Sequence, residues 1–264
     1  MQTNSLSARD LVLTLIDSAA DETLTARYFI AAGALFDFTS GNVRVALARL
    51  VNDGSLLQVE RGTYRLGSRA GTLHVLVRSW SRVEDSVKPW QGGWLAVHTA
   101  HLTRSLKTQM RNRERALGLY GFAESHVGLW VRPDNLLVPL PELFENLTAL
   151  GLDDVALAST LANLVPTDAF QIESLWDSQQ LEARYLQHLT ALADSSSKLP
   201  SLDSQTAASE TLLLGRAITR DILLDPLLPS GMVDTKLRAQ MIDAMRDYDR
   251  LGKKLWRAFY QQNH

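Results

Sequence analysis

The chain contains no cysteine. Disulfides and thiolate metal sites are therefore excluded, and a reducing cytoplasm is the expected location. Residues Met1–Arg9 have no basic start leading into an apolar stretch and a cleavage site, so no secretory signal is expected. The longest apolar runs are too short to cross a bilayer. The chain also has no G-x-S-x-G elbow and no glycine-rich phosphate loop, which leaves nucleophilic and nucleotide-hydrolysing chemistry without a motif. No excess of positive charge is present either: the formal net charge is −2. What remains is a chain of 264 residues, 45% hydrophobic and 21% charged, long enough for two or three domains.

The first pattern that carries function lies between Thr25 and Leu66. A helical pattern (TARYFIAAGALF) is followed by a break at Asp37–Gly41 and a second helical pattern (NVRVALARLVNDG). Two alternating runs then flank a tight turn (LLQVE-RG-TYRL). Helix, turn, helix and two-stranded ribbon is the order of a winged helix-turn-helix, which lays its second helix in the major groove of DNA. In that helix Val43, Ala46, Leu47 and Leu50 share one face and are expected core. Asn42, Arg44, Val45, Ala48 and Arg49 occupy the opposite face. Thr39 or Ser40 can cap the helix, and Gly54 suits its left-handed stop. Gly62 suits the turn of the wing. Thr39, Ser40, Asn42, Arg44 and Arg49 are the candidates for the DNA groove, with Arg61 on the wing. A first helix is expected over Ala8–Ala19, capped by Ser7 with Leu11 and Leu15 inward.

Charge sets a condition on this reading. Residues 1–67 hold six basic residues (Arg9, Arg27, Arg44, Arg49, Arg61, Arg65) and seven acidic ones (Asp10, Asp17, Asp21, Glu22, Asp37, Asp53, Glu60), a net of −1. Backbone affinity for DNA grows with the phosphates neutralised. One such module should bind weakly, and two at a fixed spacing should bind well.

After a glycine-flanked connector at Gly67–Gly71, a strand or helix is expected through Leu73–Trp80. Residues 90–168 then alternate: strand Gly93–His98, helix Thr103–Leu117, strand Gly128–Arg132, helix Pro139–Leu150 and strand Asp154–Ser159. Tyr120–Ala123 is read as extending the packing of the first of these helices. The alternation points to an α+β sheet layer of ferredoxin-like type, with its strand count incomplete. From residue 169 onward the chain reads as helical: Phe170–Ala193, a polar break at Asp194–Ser204, Ala207–Leu224 ended by Pro226, and Thr235–Tyr260. The expected domains are thus 1–68, 69–168 and 169–264.

Three further groups bear on chemistry. Arg104, Lys107, Arg111, Arg113 and Arg115 make a basic helix, in which Arg104, Lys107 and Arg111 share a face able to hold phosphates. His98 and His101 have a spacing that could present two imidazoles to a metal, without an acidic residue or third histidine to complete the site. Trp80, Trp90, Trp94, Trp130 and Trp176 could line an aromatic pocket or serve as core. Asp153–Asp154 is a carboxylate pair whose members point to opposite faces if on a strand.

Taken together, three segments resemble the phenylacetic-acid degradation repressor (PaaX-type) family of transcriptional regulators. They are Val43–Gly54 in the winged module; Trp90–Val97 (WQGGWLAV), Leu119–Phe122 (LYGF) and Leu129–Pro133 (LWVRP) in the middle; and Leu175-Trp176-Asp177, Leu181, Tyr185, Arg216, Arg220 and Leu224–Pro229 in the tail. Their order and spacing carry the likeness. The resemblance implies a homodimeric repressor of a catabolic operon, bound to double-stranded operator DNA and released by an effector such as an aryl-acetyl coenzyme A thioester. It also implies a middle domain similar to the small ferredoxin-like CRISPR-associated nucleases, used for assembly rather than cleavage. Arg104, Lys107, Arg111, Trp130 and Arg216 are the candidates for holding such an effector; no catalytic residue, metal or cofactor is assigned. The sequence departs from the family after Pro229, where Ser230-Gly231-Met232-Val233-Asp234 lacks the tryptophan and second proline common there. The strand end at Val97–His98 lacks the acidic residue a metal-dependent nuclease of the related fold needs. The rival readings are a metal-dependent nuclease, a coenzyme A-handling enzyme, or a scaffold that uses the winged fold to bind protein.

Overall fold

A computed structural model describes residues 6–19, 23–67, 77–162 and 175–263. The chain is an α+β protein, and contacts divide it into two compact units. Unit 1 comprises Met1–Arg78, Ala191–Ile218 and Met245–His264; unit 2 comprises Ser79–Thr190 and Thr219–Ala244. The tail from residue 169, expected as a helical segment of its own, is partitioned between them. Among the described residues no helix is long and apolar enough to cross a membrane.

Unit 1 opens with α1 (Ala8–Ser18), whose first turn is closed by a capping box between Ser7 and Asp10. Leu11, Val12, Leu15 and Ile16 recur at helical spacing and are buried. A two-residue strand β1 (Leu24–Thr25) leads into α2 (Ala26–Ala34), capped by the Thr25 hydroxyl. The break before α3 (Ser40–Asn52) places Asp37 at φ 60, a conformation aspartate tolerates. Gly33 lets the two helices approach closely: a Cβ there would lie 2.6 Å from Val43 Cγ2. The wing follows as β2 (Leu56–Glu60) and β3 (Thr63–Leu66), and the three strands order as β1-β3-β2. The wing turn depends on Gly62, at φ 78.

The core of unit 1 joins α1, Tyr28, Phe29 and Ala32 of α2, Val43, Leu47 and Leu50 of α3, and Leu56 of β2. Ala208, Leu212, Trp256 and Phe259 from the tail complete it. Trp256 meets Tyr28 edge-on with ring centroids 6.5 Å apart. Burying a side chain of the size of Leu47 contributes about 1.5–3 kcal/mol.

Unit 2 carries β4 (Trp94–His98), α4 (Lys107–Leu119), β5 (Ala123–His126), β6 (Leu129–Pro133), α5 (Leu140–Leu150) and β7 (Leu157–Leu161). The sheet is antiparallel, in the order β5-β6-β4-β7. A βαββαβ chain with its two inner strands first and third is the ferredoxin-like arrangement. The strand that completes the sheet is β5, which shares only Ala123 with the segment Tyr120–Ala123 read as extending helix packing. It is four residues long with alanine as its one apolar residue, its register slips between Glu124 and His126, and it lies at a sheet edge. The last strand begins at Leu157 rather than Asp154, because residues 153–156 form a turn closed by the Ala156 N–H on the Asp153 carbonyl.

The expected segment Leu73–Trp80 lies partly outside the described residues; its end is helical, and Trp80–Ser86 is a 3-10 segment. The start of Phe170–Ala193 and most of Gly67–Gly71 also lie outside them. The tail helices are α6 (Ser178–Lys198), α7 (Ser204–Leu223) and α8 (Thr235–Asn263). The polar break expected from Asp194 starts later. Ser195 is buried, and its hydroxyl donates to Glu210 Oε1 at 2.9 Å and meets the Tyr248 hydroxyl at 2.7 Å, so α6 continues to Lys198. Within unit 2, Arg238 is held by Glu84 (Nε to Oε1, 2.7 Å) and the Leu228 carbonyl (2.9 Å), with Asp225 at 3.8 Å. The Tyr185 hydroxyl donates to Asp225 at 2.5 Å.

Candidate nucleic-acid interface

Helix α3 divides into two faces as its period requires. Val43, Ala46, Leu47 and Leu50 are buried; Gly41, Asn42, Arg44, Val45, Ala48, Arg49 and Asn52 are exposed. Val45 is 51% exposed, so none of the described residues covers the outward face at its middle. Ser40 opens the helix and is exposed, as is Arg61 at the wing turn.

Two candidates are already engaged. The Thr39 hydroxyl accepts from the Asn42 N–H at 3.1 Å and donates to Asn42 Oδ1 at 2.8 Å. Asn42 Oδ1 also accepts from the Thr39 N–H at 3.1 Å. This capping box starts the helix. It leaves Asn42 with its Nδ2 donor alone for a partner, so the two-point contact with adenine open to a free asparagine would break the cap.

The near-neutral charge count hides an uneven pairing. Asp10 is held by Arg216 and Asp53 by Arg9, each at 3.2 Å. The Ser55 side chain and N–H, together with Arg9, hold the Asp53 carboxyl below the usual carboxylate range. Burial pushes the Asp17 carboxyl up to about 7 against the pull of Arg78, so near neutral pH it carries only part of its charge. By contrast Arg27, Arg44, Arg49, Arg61 and Arg65 form no ion pair among the described residues. Glu60 remains an exposed acid beside the wing turn.

An open groove of about 450 Å³ runs between α3 and the wing. Arg44, Ala48 and Asn52 form one wall, Leu47 and Val51 the floor, Gln58 and Tyr64 the wing side, and Ala26 one end. Asn52, Gln58 and Tyr64 were not among the candidates read from sequence. A hairpin with a two-residue turn at Arg61-Gly62 would pair Gln58 with Arg65. The slip between Gln58 and Glu60 instead pairs Gln58 with Tyr64, which brings these two side chains to one face.

The effector candidates do not gather in one unit. Arg104, Lys107 and Arg111 are exposed at and before the start of α4, in unit 2. Trp130 is half-buried on β6 and packs against the core beneath the sheet helices. Arg216 belongs to unit 1, where it pairs with Asp10. Arg113, in the same basic helix, is buried and donates to Asp153 at 2.8 Å. That bond holds the Asp153 carboxyl below its ordinary range, and explains one half of the Asp153–Asp154 pair as structural.

The histidine pair stacks, with ring centroids 5.8 Å apart, and His101 Nε2 lies 2.9 Å from the Val155 carbonyl oxygen. Among the described residues no group of three or more histidine or acidic side chains is placed to hold a metal. Trp94 stacks on Trp176 (6.3 Å) and meets Trp90 edge-on (5.2 Å), packing with Ala96 and Val131 on one face of the sheet. Trp94 is core, and Trp90 and Trp176, partly buried, pack against it.

The architecture is thus an α+β chain with a winged helix-turn-helix and a ferredoxin-like sheet. No protein-family model matches it, and no curated protein matches it. It is similar in structure to the uncharacterized protein Rv0674 from Mycobacterium tuberculosis, with a TM-score of 0.66 and 24% identity over 97% of this chain and 99% of that one. At this identity the likeness shows a shared fold.

Proposed function

We propose that this chain is a sequence-specific, DNA-binding transcriptional repressor of the PaaX type. It acts in the cytoplasm as a homodimer on the operator of a catabolic operon, without turnover of its own. A small molecule such as an aryl-acyl coenzyme A thioester releases it. The observation that carries the reading is the outward face of α3, which forms no ion pair among the described residues and is flanked by the wing. Arg49 there is free to make a two-point contact with guanine, and Val45 offers an apolar contact for a thymine methyl. A near-neutral head binds weakly alone; two heads on one operator gain from the second contact being intramolecular. The exposed cations Arg104, Lys107 and Arg111 suit the phosphates of a coenzyme A ester. Release requires that the ester bind the DNA-free arrangement more tightly than the bound one.

The test is selection of bound fragments from random duplex DNA by the purified chain, repeated with aryl-acyl coenzyme A compounds. The expected result is one enriched motif with two-fold symmetry, lost on addition of an ester. Arg49→Ala should remove about 1–3 kcal/mol of discrimination at one position of that motif. Recovery of fragments with no shared motif would overturn the proposal.

A further inference from the structure

We infer that the groove between α3 and the wing seats the sugar–phosphate backbone of one DNA strand, which splits the exposed face of α3 into a gripping edge and a reading edge. The inference rests on the DNA-binding reading above and assigns work within it. A helix in the major groove and a wing in the neighbouring groove straddle the strand that separates the two, so that strand must pass between them. The groove occupies this place, and its chemistry fits. It presents the Arg44 guanidinium, the Asn52 and Gln58 amides and the Tyr64 hydroxyl, all able to donate to phosphate oxygens. None of the lining residues is a carboxylate. The side chains of Asn52, Gln58 and Tyr64 make no hydrogen bond among the described residues, so these donors are unspent. The apolar floor of Leu47 and Val51 suits the C–H surface of deoxyribose.

The helix period then separates the two arginines. At 3.6 residues per turn Arg44 and Arg49 lie about 140° apart around the axis. Arg44 and Ala48 face the groove; Asn52 reaches it from the crest, within about 20° of Val45, and Arg49 lies beyond them on the far side. Contacts to phosphate fix position and carry no sequence information, whereas contacts to base edges specify. Arg44 therefore grips, and Val45 and Arg49 read.

The test uses the full chain, a duplex carrying the selected motif and a scrambled duplex of equal length. Dissociation constants are measured by fluorescence anisotropy across a salt series. Tyr64→Phe combined with Gln58→Ala, both chosen to spare the core, should weaken the two duplexes by the same factor, roughly tenfold, as expected for lost hydrogen bonds to a charged acceptor. The salt dependence should be unchanged, since no cation is removed. Arg44→Ala should weaken both duplexes equally and reduce the salt slope by about one. Arg49→Ala should weaken the selected duplex more than the scrambled one. If the wild type binds and the Tyr64/Gln58 variant matches it, the groove assignment fails while the DNA reading stands. If Arg44→Ala acts on the selected duplex alone, Arg44 reads bases and the division of the face is wrong. If the wild type binds neither duplex, both fall.

Discussion

Replacing Asp17 by asparagine should make the chain more stable above neutral pH and leave it unchanged near pH 4. The Asp17 carboxyl titrates at 3.8 when solvated and is pushed to about 7 by burial in unit 1, with Arg78 opposing. Between those two values the folded chain keeps a proton that the unfolded chain has released. Stability therefore falls as pH rises through that window, and levels off above about 7. The whole shift would correspond to about 4 kcal/mol at 1.36 kcal/mol per unit. Water still reaches part of this half-buried side chain, which reduces the expected difference to about 1–3 kcal/mol. Asparagine keeps the shape and cannot ionise, so the variant loses this slope. Urea unfolding of both proteins at pH 4.5, 6, 7 and 8, followed by circular dichroism, gives the difference directly. It should grow with pH and reach its plateau by pH 8. A difference that is constant across the series, or a wild type that gains on the variant as pH rises, would refute the assignment of a buried, proton-holding carboxyl.

Two further substitutions probe the frame. Gly33→Ala places a Cβ 2.6 Å from Val43 Cγ2, so either the Val43 side chain or the two helices must shift; a loss of about 1–3 kcal/mol is expected for such overpacking, read as a lower urea midpoint together with weaker DNA binding. Arg238→Ala leaves Glu84 and the buried Asp225 without their cation; unfolding measurements should show a loss of about 3–5 kcal/mol, and a loss under about 1 kcal/mol would mean that water already serves these carboxylates.

The parts of the fold legible in the sequence were those with local causes. The α3 period at Val43, Ala46, Leu47 and Leu50, its Thr39 cap and the Gly62 turn all act within a few residues, and the structure contains each. β5 was not legible because an edge strand of sequence AESH has no apolar alternation to announce it. The continuation of α6 past Asp194 depends on Glu210 and Tyr248, far along the chain, so the serine-rich stretch reads locally as a break. At the interface, exposure of Arg44, Arg49 and Arg61 follows from helix phase and turn position. The engagement of Asn42 in its own cap and the pairing of Gln58 with Tyr64 do not, since a one-residue bulge decides the latter. The sequence marks α7 and α8 as helices without naming what they cover.

Closure of the unit 1 core by the tail bears on how the protein is made. Trp256 and Phe259 belong to the same core as Phe29 and Leu47. Domains commonly fold in the order in which they leave the ribosome. Here the first segment synthesised waits with an open seam until residues beyond 256 have emerged. Until then the module exposes the apolar surface that Ala208, Leu212, Trp256 and Phe259 later cover.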